Sequence, residues 1–242
     1  MSLVETDWLK KNISSVKIID CSWHMPQTKR SGIEEYKNQH IPNAIFFDLD
    51  ENSKKNIELP HMMVGIKDWD KILSRMGINN EDKIIIYDNS DVISSCRCWF
   101  NFIYFGHNPK LVHVLNGGLR KWIKENNEVT SNITNIQPSN YKSFEKKELI
   151  KNKKSIDQNI NEQKFKVIDA RSKERFEGKV QEPRKGLRSG SIKNSFCIPF
   201  DQCLNEDKTF KSKENLKLIF ETCLENVNEK NIVFSCGSGV TA

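Results

Sequence analysis

The sequence predicts an α/β protein built from one unit used twice, each a parallel sheet flanked by helices. Two observations lead there. Short runs of β-branched residues alternate with segments of helical spacing, the pattern of strands crossing over through helices. Three anchor points in the first half also recur in the second at nearly the same separations.

Thr6 to Asn12 reads as a short helix with Trp8 and Leu9 on its apolar side. Val16 to Asp20 reads as a strand ending in a carboxylate and Cys21. A loop through Trp23, His24 and Gly32 leads to a helical turn at Glu34-Glu35-Tyr36, then to His40-Ile41-Pro42-Asn43-Ala44. Pro42 holds the residue before it extended, so this is a turn feeding the strand Ile45–Asp48. Lys67 to Met76 carries Trp69, Ile72, Leu73 and Met76 at helical spacing and stops at Gly77. Ile84-Ile85-Ile86-Tyr87-Asp88 has the continuous apolar character of a strand buried on both faces. A helix over Ser94–Phe105, a strand over Leu111–Leu115 and a helix over Gly118–Glu125 complete the first domain, 1–125.

Residues 126–143 are rich in Asn, Ser and Thr and lack periodicity, which predicts a linker. A second domain is then expected over 144–242. A helix is predicted from Glu148 to about Ile160, strands at Phe165–Asp169 and Phe196–Pro199, a helix over Ser212–Val227 and a strand at Asn231–Ser235.

The two halves superpose as sequences. Asp20 aligns with Asp169, His40–Ala44 with Ser191–Ser195, and Ile84–Asp88 with Ile232–Cys236. Asp20 and Asp88 are 68 residues apart, Asp169 and Cys236 67. Two expectations follow. Only the second half carries a nucleophile, because Asp88 stands where Cys236 would be. The second half also has no counterpart of residues 95–125 after Ala242, so it reads as truncated, with low activity and marginal stability in that half.

Composition bounds the function. Hydrophobic residues make up 37% and charged residues 29%, with no apolar run long enough to span a membrane. Met1-Ser2-Leu3-Val4-Glu5 lacks the basic and apolar regions of a signal peptide. A net charge of +6, from 38 basic and 32 acidic residues, is too scattered for a nucleic-acid stripe and suits a small anionic substrate. Seven cysteines without a regular framework point to a reducing compartment, the cytoplasm. No cofactor or metal is expected. Cys96-x-Cys98 lies on a predicted helix, and no second pair has zinc spacing.

Chemistry concentrates in Cys236-Gly237-Ser238-Gly239-Val240-Thr241-Ala242. A thiol directly after a buried strand, followed by two glycines, lets successive N–H groups curl toward the sulfur and stabilise a thiolate or persulfide. Alone, the same residues fit a buried cysteine before an ordinary glycine turn. A cysteine phosphatase loop needs an arginine six positions on, where Ala242 stands.

With these motifs the chain resembles the tandem-domain rhodanese family of sulfurtransferases. The resemblance rests on His40–Ala44 with Phe46–Asp50, Pro60-His61-Met62, Tyr87-Asp88 with Arg97 and Trp99, and Asn116-Gly117-Gly118 with Trp122. In the second half it rests on Asp169-Ala170-Arg171, Arg175-Phe176-x-Gly178, Glu182-Pro183-Arg184 and Cys236–Ala242. The Cys-Gly-Ser-Gly-Val-Thr loop is similar to that of members using 3-mercaptopyruvate; thiosulfate-using members carry basic residues after the cysteine. The resemblance implies two tandem rhodanese-like domains, the second truncated. It implies that Cys236 takes sulfur as a persulfide and releases pyruvate, with Arg175 and Arg184 on the substrate carboxylate and keto oxygen. Gly237, Gly239, Val240 and Thr241 would complete the substrate loop. Ser238, His61 and Asp50 would relay a proton, in a cleft between the domains. A thiol acceptor such as thioredoxin is the implied partner. A thiosulfate sulfurtransferase and a catalytically silent module are the alternatives. Ser191 and Lys193, where the family has a His-Ile-Pro-Gly turn, and Val64, where a proline is frequent, depart from the pattern.

Overall fold

The computed structural model describes residues 2–224 and 231–242, which divide into two units, 1–147 and 148–242. In the first, strands β1 (Leu3–Val4), β2 (Lys17–Asp20), β3 (Ala44–Phe46), β4 (Ile84–Tyr87) and β5 (Val112–Leu115) form a parallel sheet in the order β1-β5-β4-β2-β3. Its helices are α1 (Thr6–Asn12), α2 (Gly32–Asn38), α3 (Ile66–Arg75), α4 (Ser94–Tyr104) and α5 (Gly118–Lys124).

Side chains alternate across each strand, so each face of the sheet has its own layer. Ile18, Ile85 and Tyr87 pack with Leu9 of α1, Tyr36 of α2, and Leu119 and Trp122 of α5. A second aromatic cluster joins α3 to α4: Trp69 stacks on Phe105 at 4.7 Å and meets Phe102 and Phe47 edge-on. All four residues of β4 are buried, as its unbroken apolar run predicts. The two-residue strand β1 was not foreseen; it pairs with β5 through Leu3 and Val4.

Residues 126–143 contain no helix or strand but are fastened to the first unit. Thr130 and His40 exchange backbone hydrogen bonds at 2.8 and 2.9 Å, and the Thr134 hydroxyl donates to the Ala44 carbonyl. Tyr141 is buried, its hydroxyl 3.0 Å from Nδ1 of His107. The segment thus satisfies its polar groups on the unit it leaves and is part of that unit.

The second unit holds β6 (Lys166–Asp169), β7 (Phe196–Cys197) and β8 (Ile232–Ser235) in the parallel order β7-β6-β8, with helices α6 (Lys153–Glu162), α7 (Lys173–Phe176) and α8 (Lys213–Glu221). The helix expected from Glu148 begins at Lys153 instead. Asn152 caps it by accepting the Ser155 N–H, and only a short 3-10 turn spans Lys147–Leu149. The α8 helix starts after Ser212, whose side chain accepts from the Asn215 N–H; of its predicted extent, 225–227 lie outside the described residues. Ile219 and Phe220 of α8 pack with Ile168, Ile198 and Ile232.

The registers of the units match position for position. Asp20 pairs with Phe46 and Tyr87, and Asp169 pairs with Cys197 and Ser235. Asn43 and Asn194 are both left-handed, with φ of 65° and 64°. The turns starting at His40 and Ser191 therefore share one backbone path despite their different sequences.

Candidate active site

The end of β8 is fixed before the loop begins. Ser235 pairs with Asp169, and its carbonyl accepts the Ala170 N–H at 2.8 Å. The next residue is Cys236, partly exposed. From there the backbone turns back on the sulfur. Gly239 has φ 74°, in the left-handed region where a side chain is strained, and its N–H points at Cys236 Sγ at 3.1 Å. Val240 is buried and anchors the far side of the turn.

Two influences oppose each other at the thiol. Burial pushes its pKa up. The Thr241 hydroxyl and the N–H groups of Ser238, Thr241 and Gly239 pull it down, and they prevail, so the thiol ionises below its ordinary value. The loop is built to hold a negative sulfur.

Two guanidiniums reach this loop. Arg184 Nη2 donates to the Gly237 carbonyl at 2.7 Å. Arg175 lies against the same residue: a Cβ at Gly237 would sit 3.1 Å from its Nη2, so glycine is what lets the arginine come close. Arg175 is itself gripped by Glu182, Nε to Oε1 at 3.1 Å and Nη2 to Oε2 at 2.5 Å. Arg171 holds Glu182 from the other side at 2.7 Å, and also binds Asp169 at 2.6 Å and the Gly190 carbonyl at 2.8 Å. Sequence reasoning gave Arg171 and Glu182 no role. Both stood in the quoted motifs, at the strand end and two residues before Arg184.

Asp50 and His61 are brought together in the first unit. His61 Nε2 lies 2.8 Å from Asp50 Oδ1, and Trp23 Nε1 donates to Oδ2 at 2.9 Å. The hydrogen bond from His61, aided by Trp23 and working against burial, holds the Asp50 carboxyl below its usual pKa. An ionised Asp50 only accepts, so Nε2 of His61 carries a proton toward it. Nδ1 is buried with no hydrogen-bond partner among the described residues. His61 has φ 56°, and Arg97 Nη2 braces its carbonyl at 2.5 Å. Trp23, edge-on to the His61 ring at 4.9 Å, is a neighbour that sequence reasoning missed. Ser238, the third residue expected in the relay, belongs to the second unit.

The first unit's counterpart of Cys236 is Asp88, a buried carboxylate. Its Oδ1 accepts the Ser90 N–H at 2.8 Å and its Oδ2 the Ser95 N–H at 2.7 Å. Among the described residues no group of three His, Cys, Asp or Glu side chains could hold a metal, and no helix is long and apolar enough to cross a membrane.

Comparison with known proteins gives the family described as Rhodanese-like domain, matched over residues 5–125 and 152–242. The mitochondrial thiosulfate/3-mercaptopyruvate sulfurtransferase 1 of Arabidopsis thaliana is 36% identical over 99% of this chain and 69% of its own length. The 3-mercaptopyruvate sulfurtransferase of Homo sapiens is 32% identical over 100% of this chain and 83% of its own. Among solved structures, SseA from Escherichia coli, described as a 3-mercaptopyruvate sulfotransferase, superposes with a TM-score of 0.88 at 28% identity, covering 100% of this chain and 90% of that one.

Proposed function

This chain belongs to the rhodanese-like domain family, and from that premise we propose that it is a sulfurtransferase carrying sulfur from 3-mercaptopyruvate to a thiol acceptor. The observation behind the proposal is Cys236 Sγ at the end of β8, turned into donors from Ser238, Gly239 and Thr241 with two guanidiniums at Gly237.

The Cys236 thiolate attacks the substrate sulfur. An S–S bond forms, the C–S bond breaks, and its electron pair leaves on carbon as the enolate of pyruvate. The proton lost from the substrate thiol is the one the enolate takes up, so the product pair is pyruvate and an anionic persulfide. The loop N–H groups that favour the thiolate favour that persulfide equally. Arg184 and Arg175 take the substrate carboxylate and keto oxygen; Glu182 uses two of the five N–H groups of Arg175, which leaves the others for an anion. Ser238 in the Cys236 loop supplies a hydroxyl for proton transfer, and in the first unit His61 and Asp50 form the hydrogen-bonded pair suited to the same task. A dithiol such as thioredoxin then takes the outer sulfur and restores Cys236. A location in a reducing compartment, the cytoplasm, fits a chemistry that depends on a thiol.

Two relatives are named for both donors, so thiosulfate is the second reading. Thiosulfate carries two negative charges, and Gly237 and Ser238 add no cation to the guanidiniums of Arg175 and Arg184 at the loop. The test is steady-state turnover with each donor, together with the mass of the Cys236 peptide. We expect pyruvate release with 3-mercaptopyruvate, one added sulfur atom on Cys236, and far slower turnover of thiosulfate. Cys236→Ser should abolish both signals. Faster turnover of thiosulfate, or full activity in Cys236→Ser, rejects the assignment.

A further inference from the structure

We infer that Glu182 is a positioning residue for sulfur transfer, acting through Arg175 to hold a guanidinium against the Cys236 loop. The inference rests on the reading above for the identity of the reaction and deepens it.

Arg175 comes from α7, a helix of only four residues, which alone gives a long side chain no fixed direction. Glu182 supplies that direction. Its two oxygens meet Nε and Nη2 of Arg175 in a fork, the geometry in which a guanidinium loses both rotation and reach. Glu182 is fixed in turn: its side chain is 4% exposed, and Arg171 binds the same carboxylate. Arg171 then anchors the assembly to the sheet through Asp169, whose strand neighbour is Ser235, next in the chain to Cys236. Arg171 also clips the Gly190 carbonyl, so the 178–190 segment that carries Glu182 is held at two points.

The chain Asp169, Arg171, Glu182, Arg175 thus runs from the β6 end, beside β8, back to Gly237. Arg184 adds a third guanidinium from the same segment. Three guanidiniums face two carboxylates here, and the surplus positive charge is what a thiolate or a substrate carboxylate balances. The two hydrogen bonds from Arg175 and the one from Arg171 hold the Glu182 carboxyl below its ordinary pKa against the pull of burial.

A purely structural Glu182 would tie the 178–190 segment to Arg171 and nothing more. The two roles separate in a double-mutant cycle on the full chain, with KM and kcat for 3-mercaptopyruvate read separately. Arg175→Ala alone tests the site reading; if it leaves turnover intact, that reading fails and this one with it. Given an impaired Arg175→Ala, Glu182→Gln should raise KM about tenfold or more, with kcat changed less. The pair Glu182→Gln with Arg175→Ala should be no worse than Arg175→Ala alone. If Glu182→Gln does not fold, Glu182→Asp takes its place; it keeps the charge for Arg171 and shortens the reach to Arg175, and KM should rise several-fold. An unchanged KM in the folded variant, or additive losses in the pair, overturns the inference.

Discussion

Replacing Thr241 by valine tests the proposed thiolate site with a nearly isosteric change. The backbone N–H of Thr241 stays in the loop, and only the hydroxyl bonded to the sulfur is lost. A hydrogen bond to a charged group contributes about 1.5–3 kcal/mol. At about 1.4 kcal/mol for each tenfold change in an ionisation constant, the titration of Cys236 should move up by about one to two pH units. The partial exposure of Cys236 lets water replace some of the lost interaction, which favours the lower end. The sign is set by which form the hydroxyl stabilises. It favours the thiolate, so the parent keeps its reactivity further into acid, and Thr241→Val loses it there first. The assay is the rate of iodoacetamide modification of the Cys236 peptide across pH, resolved by mass so that the other six cysteines do not contribute. In the acid range where both thiols are mostly protonated the variant should react about tenfold more slowly, and the two curves should converge in alkali. Superimposed curves, or a variant titrating below the parent, would refute the idea that side-chain hydroxyl and backbone donors together hold the sulfur's charge.

Arg184→Ala should lower kcat/KM for 3-mercaptopyruvate by roughly 10- to 1000-fold, since it removes a charge-assisted contact to the loop as well as a substrate ligand; a loss under threefold would contradict the role. Cys197→Ser should keep near-parental turnover, as Cys197 lies at the end of β7 with its thiol pushed up by burial; inactivation would mean that a second thiol takes part. In the first unit, burial drives the Asp20 carboxyl up from 3.8 to about 6 despite hydrogen bonds from Ser22 and Tyr87. The charged form is thus disfavoured on folding, and stability is gained as pH falls from about 6 toward 3.8, on the order of 3 kcal/mol for the full shift. Asp20→Asn should flatten that dependence. All five tryptophans lie in the first unit, so urea unfolding followed by their fluorescence at pH 4.5 and 7.5 isolates the effect; identical pH slopes in parent and variant would count against it.

What the sequence made legible was whatever has a period or a fixed spacing. The four apolar residues of β4 and the Trp69-Ile72-Leu73 face of α3 identified their elements because burial on two faces or one leaves a different residue pattern. The duplication was legible because register is a spacing, and the observed pairs of Asp20 and Asp169 match it. The misjudged start of α6 has a local cause, since the polar stretch before it holds several candidate caps and only the Asn152–Ser155 hydrogen bond selects one. The attachment of residues 126–143 left no pattern, because it is made by single hydrogen bonds to distant groups such as the Ala44 carbonyl and the Asp70 carboxylate. At the candidate site, Cys236 and the two glycines announced a loop for an anion. The Arg171–Glu182 pairing could not be read in the same way: ion pairs have no periodicity, and both residues alone look like ordinary surface charge.

The carboxylate of Asp88 shows what a second copy of such a loop becomes without a thiol. One oxygen takes the Ser90 N–H, in the loop that corresponds to the one around Cys236, and the other takes the Ser95 N–H in the first turn of α4. A sulfur site is recharged on every turnover, from thiolate to persulfide and back, and its loop must accept a changing guest. The first unit has its guest covalently installed and permanent. A duplicated gene could therefore retire one of two reactive centres by a change at a single side chain, trading a thiol for a carboxyl group, while nearby backbone donors kept a covalently attached acceptor. The retired copy would lose its chemistry without losing its fold.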